Sequence, residues 1–158
     1  MSEQEVRADI NPQLCKTLNP AKHKWEHSWI AEPKFDGLRC IVIVEKPGTA
    51  QAYSRNGKPL YNMDHILLEA AARCPKNTVL DGEVYTKDWN LSMGIVKSSV
   101  TKHPNADQLR YHVWDHLRLN EWKAGRSDVS NADRKERLFA LFRHTTSLSL
   151  VTSLPATT

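Results

Sequence analysis

Glu32-Pro33-Lys34-Phe35-Asp36-Gly37-Leu38-Arg39 is the stretch on which the reading of this chain turns. Lys34 has an acidic residue two positions away on either side, Glu32 and Asp36. Gly37 then turns the chain, Arg39 follows, and Cys40-Ile41-Val42-Ile43-Val44 continues as an apolar run of strand length. A lysine at the mouth of a buried strand becomes a nucleophile once it loses its proton, and burial and nearby cations favour that loss. Arg39 is one such cation and a bound metal would be another. The same residues would also make a solvated Lys-Asp surface turn, so the stretch alone leaves both readings standing.

The flanking sequence supplies a scaffold. Ser28 to Glu32 reads as a strand leading into the lysine, and Leu38 to Glu45 as the next strand. Lys46-Pro47-Gly48-Thr49 is a turn, and Ala50 to Arg55 returns to close a hairpin. Asn56-Gly57 is a tight turn, because both residues tolerate positive φ. A helix follows over Asp64 to Arg73, with Ile66, Leu67, Ala70 and Ala71 as its apolar face. Asn62 or Asp64 caps its start and Pro75 stops it. Thr78 to Thr86 is a strand whose alternation sets Asp81 and Glu83 on one face, Leu80 and Val84 on the other. Two carboxylates projecting together require a metal, a sugar hydroxyl or an arginine to meet them.

Asp88 to Ser99 has no clear period and reads as a short helix and loop over the site. Leu109 to Leu119 is a strand, with Tyr111, Val113 and Asp115 on one face and His112, Trp114 and His116 on the other. Asn120 to Ser127 is a polar loop. Ser130 with Asp133 caps a helix running to about His144, with Leu138, Leu141 and Phe142 buried. Ser147 to Leu154 makes a last strand, ended by Pro155. These elements give an α+β fold with antiparallel or mixed sheets flanked by helices.

The 158 residues suffice for one domain with a real core. Residues 1–22, interrupted by Pro12 and Pro20, read as a polar arm lying on a domain over 23–158. The net charge of +4 and a pI near 9.0 suit a polyanionic partner. No apolar run is long enough to span a bilayer, and the polar start lacks the apolar core of a signal peptide. Cys15, Cys40 and Cys74 are odd in number and far apart, which implies free thiols in a reducing cytoplasm. His23 and His27 lie four apart without further ligands at useful spacing, so they read as a polar surface beside a docked Trp25.

Three further motifs follow the lysine: Tyr53-Ser54-Arg55-Asn56-Gly57, Leu80-Asp81-Gly82-Glu83-Val84 and Val113-Trp114-Asp115. Taken in order with Lys34-x-Asp36-Gly37-x-Arg39, they resemble the ordered motifs of the covalent nucleotidyltransferases, and most closely ATP-dependent DNA ligases of the short bacteriophage and bacterial type. The resemblance runs from about Trp29 to about Phe142. It implies a nucleotidyltransferase (ATP-grasp-like) adenylation domain in a bacterial or phage-infected cell, using ATP and Mg2+ on nicked double-stranded DNA, as a monomer.

It also implies roles. Lys34 would attack the α-phosphate of ATP and carry AMP, which passes to the 5′-phosphate of a nick before the 3′-hydroxyl seals it in replication, repair and recombination. Asp36 would hold or help activate the lysine loop. Glu32 would contact the adenine amino group. Arg39 and Arg55 would grip ribose or phosphate, Glu83 the ribose hydroxyl or a divalent metal, and Trp114 would stack on adenine. Trp114 also fits a plain core position, because aromatics in strands usually pack. The later Glu-Gly-x-x-x-Lys and Lys-x-Lys motifs of the family are absent, as is its oligonucleotide-binding barrel. The resemblance thus stops partway through the adenylation domain, implying the N-terminal part of a ligase, as a fragment or a shortened reading frame. Two other readings share these residues: a capping guanylyltransferase or RNA ligase with the same lysine chemistry, and a nucleotide- or DNA-binding remnant without it.

Overall fold

The computed structural model describes residues 5–22, 29–144, 147–151 and 154–155. The His23–His27 stretch lies outside them. A five-stranded sheet forms the centre, in the order β3-β2-β4-β5-β6: β2 (Leu38–Lys46), β3 (Thr49–Ser54), β4 (Thr78–Tyr85), β5 (Arg110–Arg118) and β6 (Leu148–Leu150). All its pairs are antiparallel except β5 with β6, which is parallel. A two-stranded sheet pairs β1 (Ile30–Ala31) with β7 (Leu154–Pro155). The predicted strand over Ser147 to Leu154 is therefore two short strands in two sheets. One of them, β7, lies against the strand that leads into Lys34.

One face of the large sheet is apolar and carries the helices. Cys40, Val42 and Val44 of β2, Leu80 and Val84 of β4, and Tyr111 and Val113 of β5 form a single buried cluster there. Packed on it are Ile66 and Ala70 of α1 (Asp64–Arg73), Ile95 and Val96 of α2 (Trp89–Lys97), and Leu138 and Phe142 of α4 (Asn131–Phe142). The aperiodic Asp88–Ser99 stretch becomes helical because Asp88 caps it, accepting from the Leu91 amide at 2.7 Å. The start of α1 differs from expectation. Its N-cap is Met63, with no side-chain cap. Asn62 instead spans the gap to α2, donating to the Ile95 and Ser98 carbonyls and accepting from the His103 amide.

The other face is covered differently. Ile41, Ile43, Tyr53 and Val79 form a second cluster with Ile10 of the arm and Leu119. The predicted polar loop 120–127 begins as a helix, α3 (Leu119–Ala124): Glu121 accepts from the Arg118 amide at its start, and Gly125 at φ 68° ends it in the left-handed region. From α3, the Trp122 indole donates to the Asp9 carbonyl at 3.0 Å. Arg7 pairs with Asp9 and Glu45, and its amide donates to the Gly57 carbonyl. A Cβ on Gly57 would stand 1.9 Å from the Arg7 carbonyl oxygen. The arm is thus bolted to the turn that follows β3. Among the described residues no helix is long and apolar enough to cross a membrane.

A bulge corrects the expected alternation of β5. Asp81 pairs with Asp115 but Gly82 with Val113, so Trp114 is an extra residue without a partner on β4. Beyond it the faces exchange. Asp115 falls opposite Asp81, not with Tyr111 and Val113, and His116 falls opposite buried Leu80, not with His112 and Trp114.

Candidate active site

The cleft lies on the sheet face that α1, α2 and α4 leave open, with a volume near 1570 Å³. Glu32, Lys34, Arg39, Arg55, Glu83 and Trp114 all line it. They arrive from five places: the β1–β2 connection, β2, the β3–α1 turn, β4 and β5. Asp36 is the exception; it is exposed and does not line the cleft.

The Lys34 loop is held from below. Gly37 donates its amide to Glu83 Oε1 at 3.2 Å, and a Cβ there would sit 2.5 Å from the Val84 carbonyl oxygen. Only glycine allows the loop this close to β4. Lys34 itself is exposed on the loop, two residues beyond Glu32. Glu32 forms an ion pair with Lys135 of α4, whose ammonium also donates to the Trp114 carbonyl at 2.9 Å.

The wall of the cleft is a row of alternating charges. Arg39 donates from Nε and from Nη2 to the two Asp81 oxygens, each at 2.6 Å. Arg134 of α4 does the same to Asp115 at 2.7 and 3.0 Å. Two parallel donors on one carboxylate make these the strongest kind of side-chain ion pair. The bulge at Trp114 is what turns Asp115 toward Arg134 and beside Asp81. Burial pushes the Asp81 carboxyl up, and the Arg39 guanidinium acts against it. Arg39 also lies over the Trp114 ring, 5.0 Å from its centroid, so the indole is braced at the surface of the cleft and not packed in the core. Glu83 differs from Asp81: it is only half-buried, and burial raises its pKa despite the Gly37 amide, Arg39 and Lys34. Arg55 is exposed at the rim, on a turn held by Ser54, whose hydroxyl accepts from the Lys58 amide.

Sequence reasoning missed Lys135 and Arg134, and it read residues 1–22 as an arm lying on the domain without giving that arm a part in the cleft. The cleft is also lined by residues 11–15 and by Trp89, Met93 and Lys97 on one side of α2. The spacing of that last trio by four was the available signal. Among the described residues no group of three or more His, Cys, Asp or Glu is placed to hold a metal.

The family described as ATP dependent DNA ligase domain matches residues 12–157. None of the curated proteins matches the sequence. A solved structure named "Pmar-Lig_Pre." is 25% identical, with a TM-score of 0.65 over 79% of this chain and 30% of its own. The ATP-dependent DNA ligase from bacteriophage T7 in complex with ATP is 20% identical, TM-score 0.62, over 79% of this chain and 48% of its own. The Chlorella virus DNA ligase-adenylate is 16% identical, TM-score 0.64, over 96% of this chain and 52% of its own. The last two likenesses bear on the fold alone. The chain therefore spans between 30% and 52% of the length of these structures. Its fold is that of the nucleotidyltransferase domain of DNA ligases, and over residues 12–157 the chain belongs to the ATP-dependent DNA ligase domain family.

Proposed function

We propose that this domain forms a lysine-AMP intermediate from ATP, the first of the three steps of DNA nick sealing. The observation that carries the reading is the convergence of Glu32, Lys34, Arg39, Arg55, Glu83 and Trp114 on one cleft from five separate places in the fold. The Lys34 Nζ lone pair attacks the α-phosphorus of ATP. A P–N bond forms, the bond to the β-phosphate oxygen breaks, and its electrons leave with pyrophosphate. The amine proton passes to solvent, to which Lys34 is open. Catalysis of such a step rests on positioning and charge neutralisation.

The remaining roles follow from position. Trp114 offers its ring to adenine, and Glu32, oriented by Lys135, accepts from the adenine amino group. Arg55 grips phosphate from the rim. Arg39 keeps Nη1 for the nucleotide while its other donors hold Asp81. Mg2+ is usually held by one or two carboxylates plus substrate phosphates. Glu83, half-buried with one oxygen on the Gly37 amide, fits that pattern once a nucleotide is present. Bound there, the ion would neutralise phosphate charge. Transfer of AMP to the 5′-phosphate of nicked DNA and sealing by the 3′-hydroxyl, in replication, repair and recombination, complete the proposed pathway.

The test is intact-protein mass spectrometry after incubation with ATP and magnesium, with mapping of any adduct. AMP on Lys34, and none in Lys34→Ala, supports the reading. An adduct from GTP alone would replace it with guanylyl transfer. Nucleotide binding without adduct would replace it with a binding domain.

A further inference from the structure

Three aromatic rings meet beneath the nucleophile loop. Phe35, adjacent to Lys34, stacks on His112 of β5 with centroids 3.9 Å apart and planes 23° apart. His112 stacks in turn on Tyr85 at the end of β4, at 4.5 Å and 13°. Phe35 and Tyr85 are themselves 6.0 Å apart. The His112 ring is fixed in its plane by Ser149 of β6, whose hydroxyl shares a hydrogen bond with Nδ1. The sheet explains the meeting. His112 pairs with Glu83 on one side and with Ser149 on the other, so all three side chains leave the same face, and Tyr85 follows two residues after Glu83.

Two anchors follow Lys34 along the loop. The farther is Gly37, hydrogen-bonded to Glu83. The nearer is Phe35, directly next to the lysine, whose ring meets His112 and Tyr85. An aromatic stack contributes about 0.5–1.5 kcal/mol beyond its buried area, enough to bias a short loop toward one geometry. We infer that His112, held by Ser149, is a positioning residue that fixes Phe35 and so aims Lys34 at the reacting phosphorus. It touches no reacting atom. This deepens the proposed function and rests on it for the identity of the reaction, while the positioning of the loop stands independently.

The experiment uses the full chain with His112→Ala, His112→Phe and Ser149→Ala, and two readouts. The first is amide hydrogen exchange of the peptide spanning residues 33–38, which needs no chemistry. The second is the single-turnover rate of the Lys34 adduct with ATP and magnesium at saturation, together with the half-saturating ATP concentration. His112→Ala should speed exchange in 33–38 while β2 and β4 stay protected. It should also lower the maximal rate about tenfold, within the ~10²-fold that an ångström of misplacement can cost, at unchanged half-saturation. His112→Phe, which keeps the ring, should restore most of both. Ser149→Ala, the milder change, should give a smaller loss in the same direction. Unchanged exchange in both His112→Ala and Ser149→Ala overturns the inference, whatever the adduct measurement gives. So does a His112→Phe variant no better than His112→Ala. Absence of any adduct in the parent chain overturns the functional reading alone.

Discussion

Two neighbouring carboxylates of β4, Asp81 and Glu83, teach different lessons although they leave the same face. Asp81 is buried, and both its oxygens are consumed by Arg39. Glu83 is half-buried, and one oxygen accepts a single amide from Gly37. The first belongs to a wall that fixes strands and α4 together through the row Arg39, Asp81, Asp115, Arg134. The second belongs to the floor under a loop. A paired, desolvated carboxylate is costly to disturb and chemically silent. A lightly satisfied one beside an exposed lysine is cheap to change and open to a ligand.

That contrast can be broken from either side. The largest expected effect is on chemistry. Lys34→Ala should abolish the AMP adduct while changing stability by less than about 0.5 kcal/mol, because Lys34 is exposed on a loop. Mass spectrometry and urea denaturation measure the two, and an adduct surviving in the variant would misplace the nucleophile. Next is the wall. Asp81→Ala strands the Arg39 guanidinium and should lower stability by about 3–5 kcal/mol in urea denaturation; a loss below ~1 kcal/mol would mean that the pair contributes no more than a surface bridge.

Smaller is the floor. Gly37→Ala drives a Cβ into the Val84 carbonyl and should cost roughly 1–3 kcal/mol, with a larger fractional loss of adduct rate than of stability. A rate that falls only in proportion to the folded fraction would remove the loop from the site. Smallest is a pH effect. Burial raises the Glu83 pKa above its unfolded value, so the folded state binds the proton more tightly. Its contribution therefore favours folding at low pH and is lost as pH rises through the interval between the unfolded and the raised folded pKa. Glu83→Gln should remove that slope, giving a stability difference from the parent that grows with pH through the interval and is flat above it. A difference independent of pH would show that Glu83 titrates as in the unfolded chain.

Much of the scaffold was legible. The run Cys40–Val44, the hairpin turn at Gly48, the face of α1 and the Ser130–Asp133 cap are local patterns, and each forms as its residues dictate. The facing of Asp81 and Glu83 was legible too, because a regular strand has period two. The same rule failed on β5. One extra residue at Trp114 reverses everything after it, and nothing in Val113-Trp114-Asp115-His116 announces a bulge. Register there is decided across the sheet. Tyr111 lies over Gly82, where a Cβ would stand 2.7 Å from its ring, and its hydroxyl sits 2.9 Å from the Cys40 carbonyl oxygen.

The sequence by itself determined the order of the motifs, the family they resemble and six of the residues that line the cleft, since those depend on residue type and spacing along one segment at a time. Only the tertiary structure decided who holds them. Lys135 reaches Glu32 across 103 positions, Arg134 finds Asp115, Ser149 steadies His112, and the arm reaches the cleft. Such pairings are set by where packing delivers each helix and edge strand, and a chain read in one dimension carries no distance between residues so far apart.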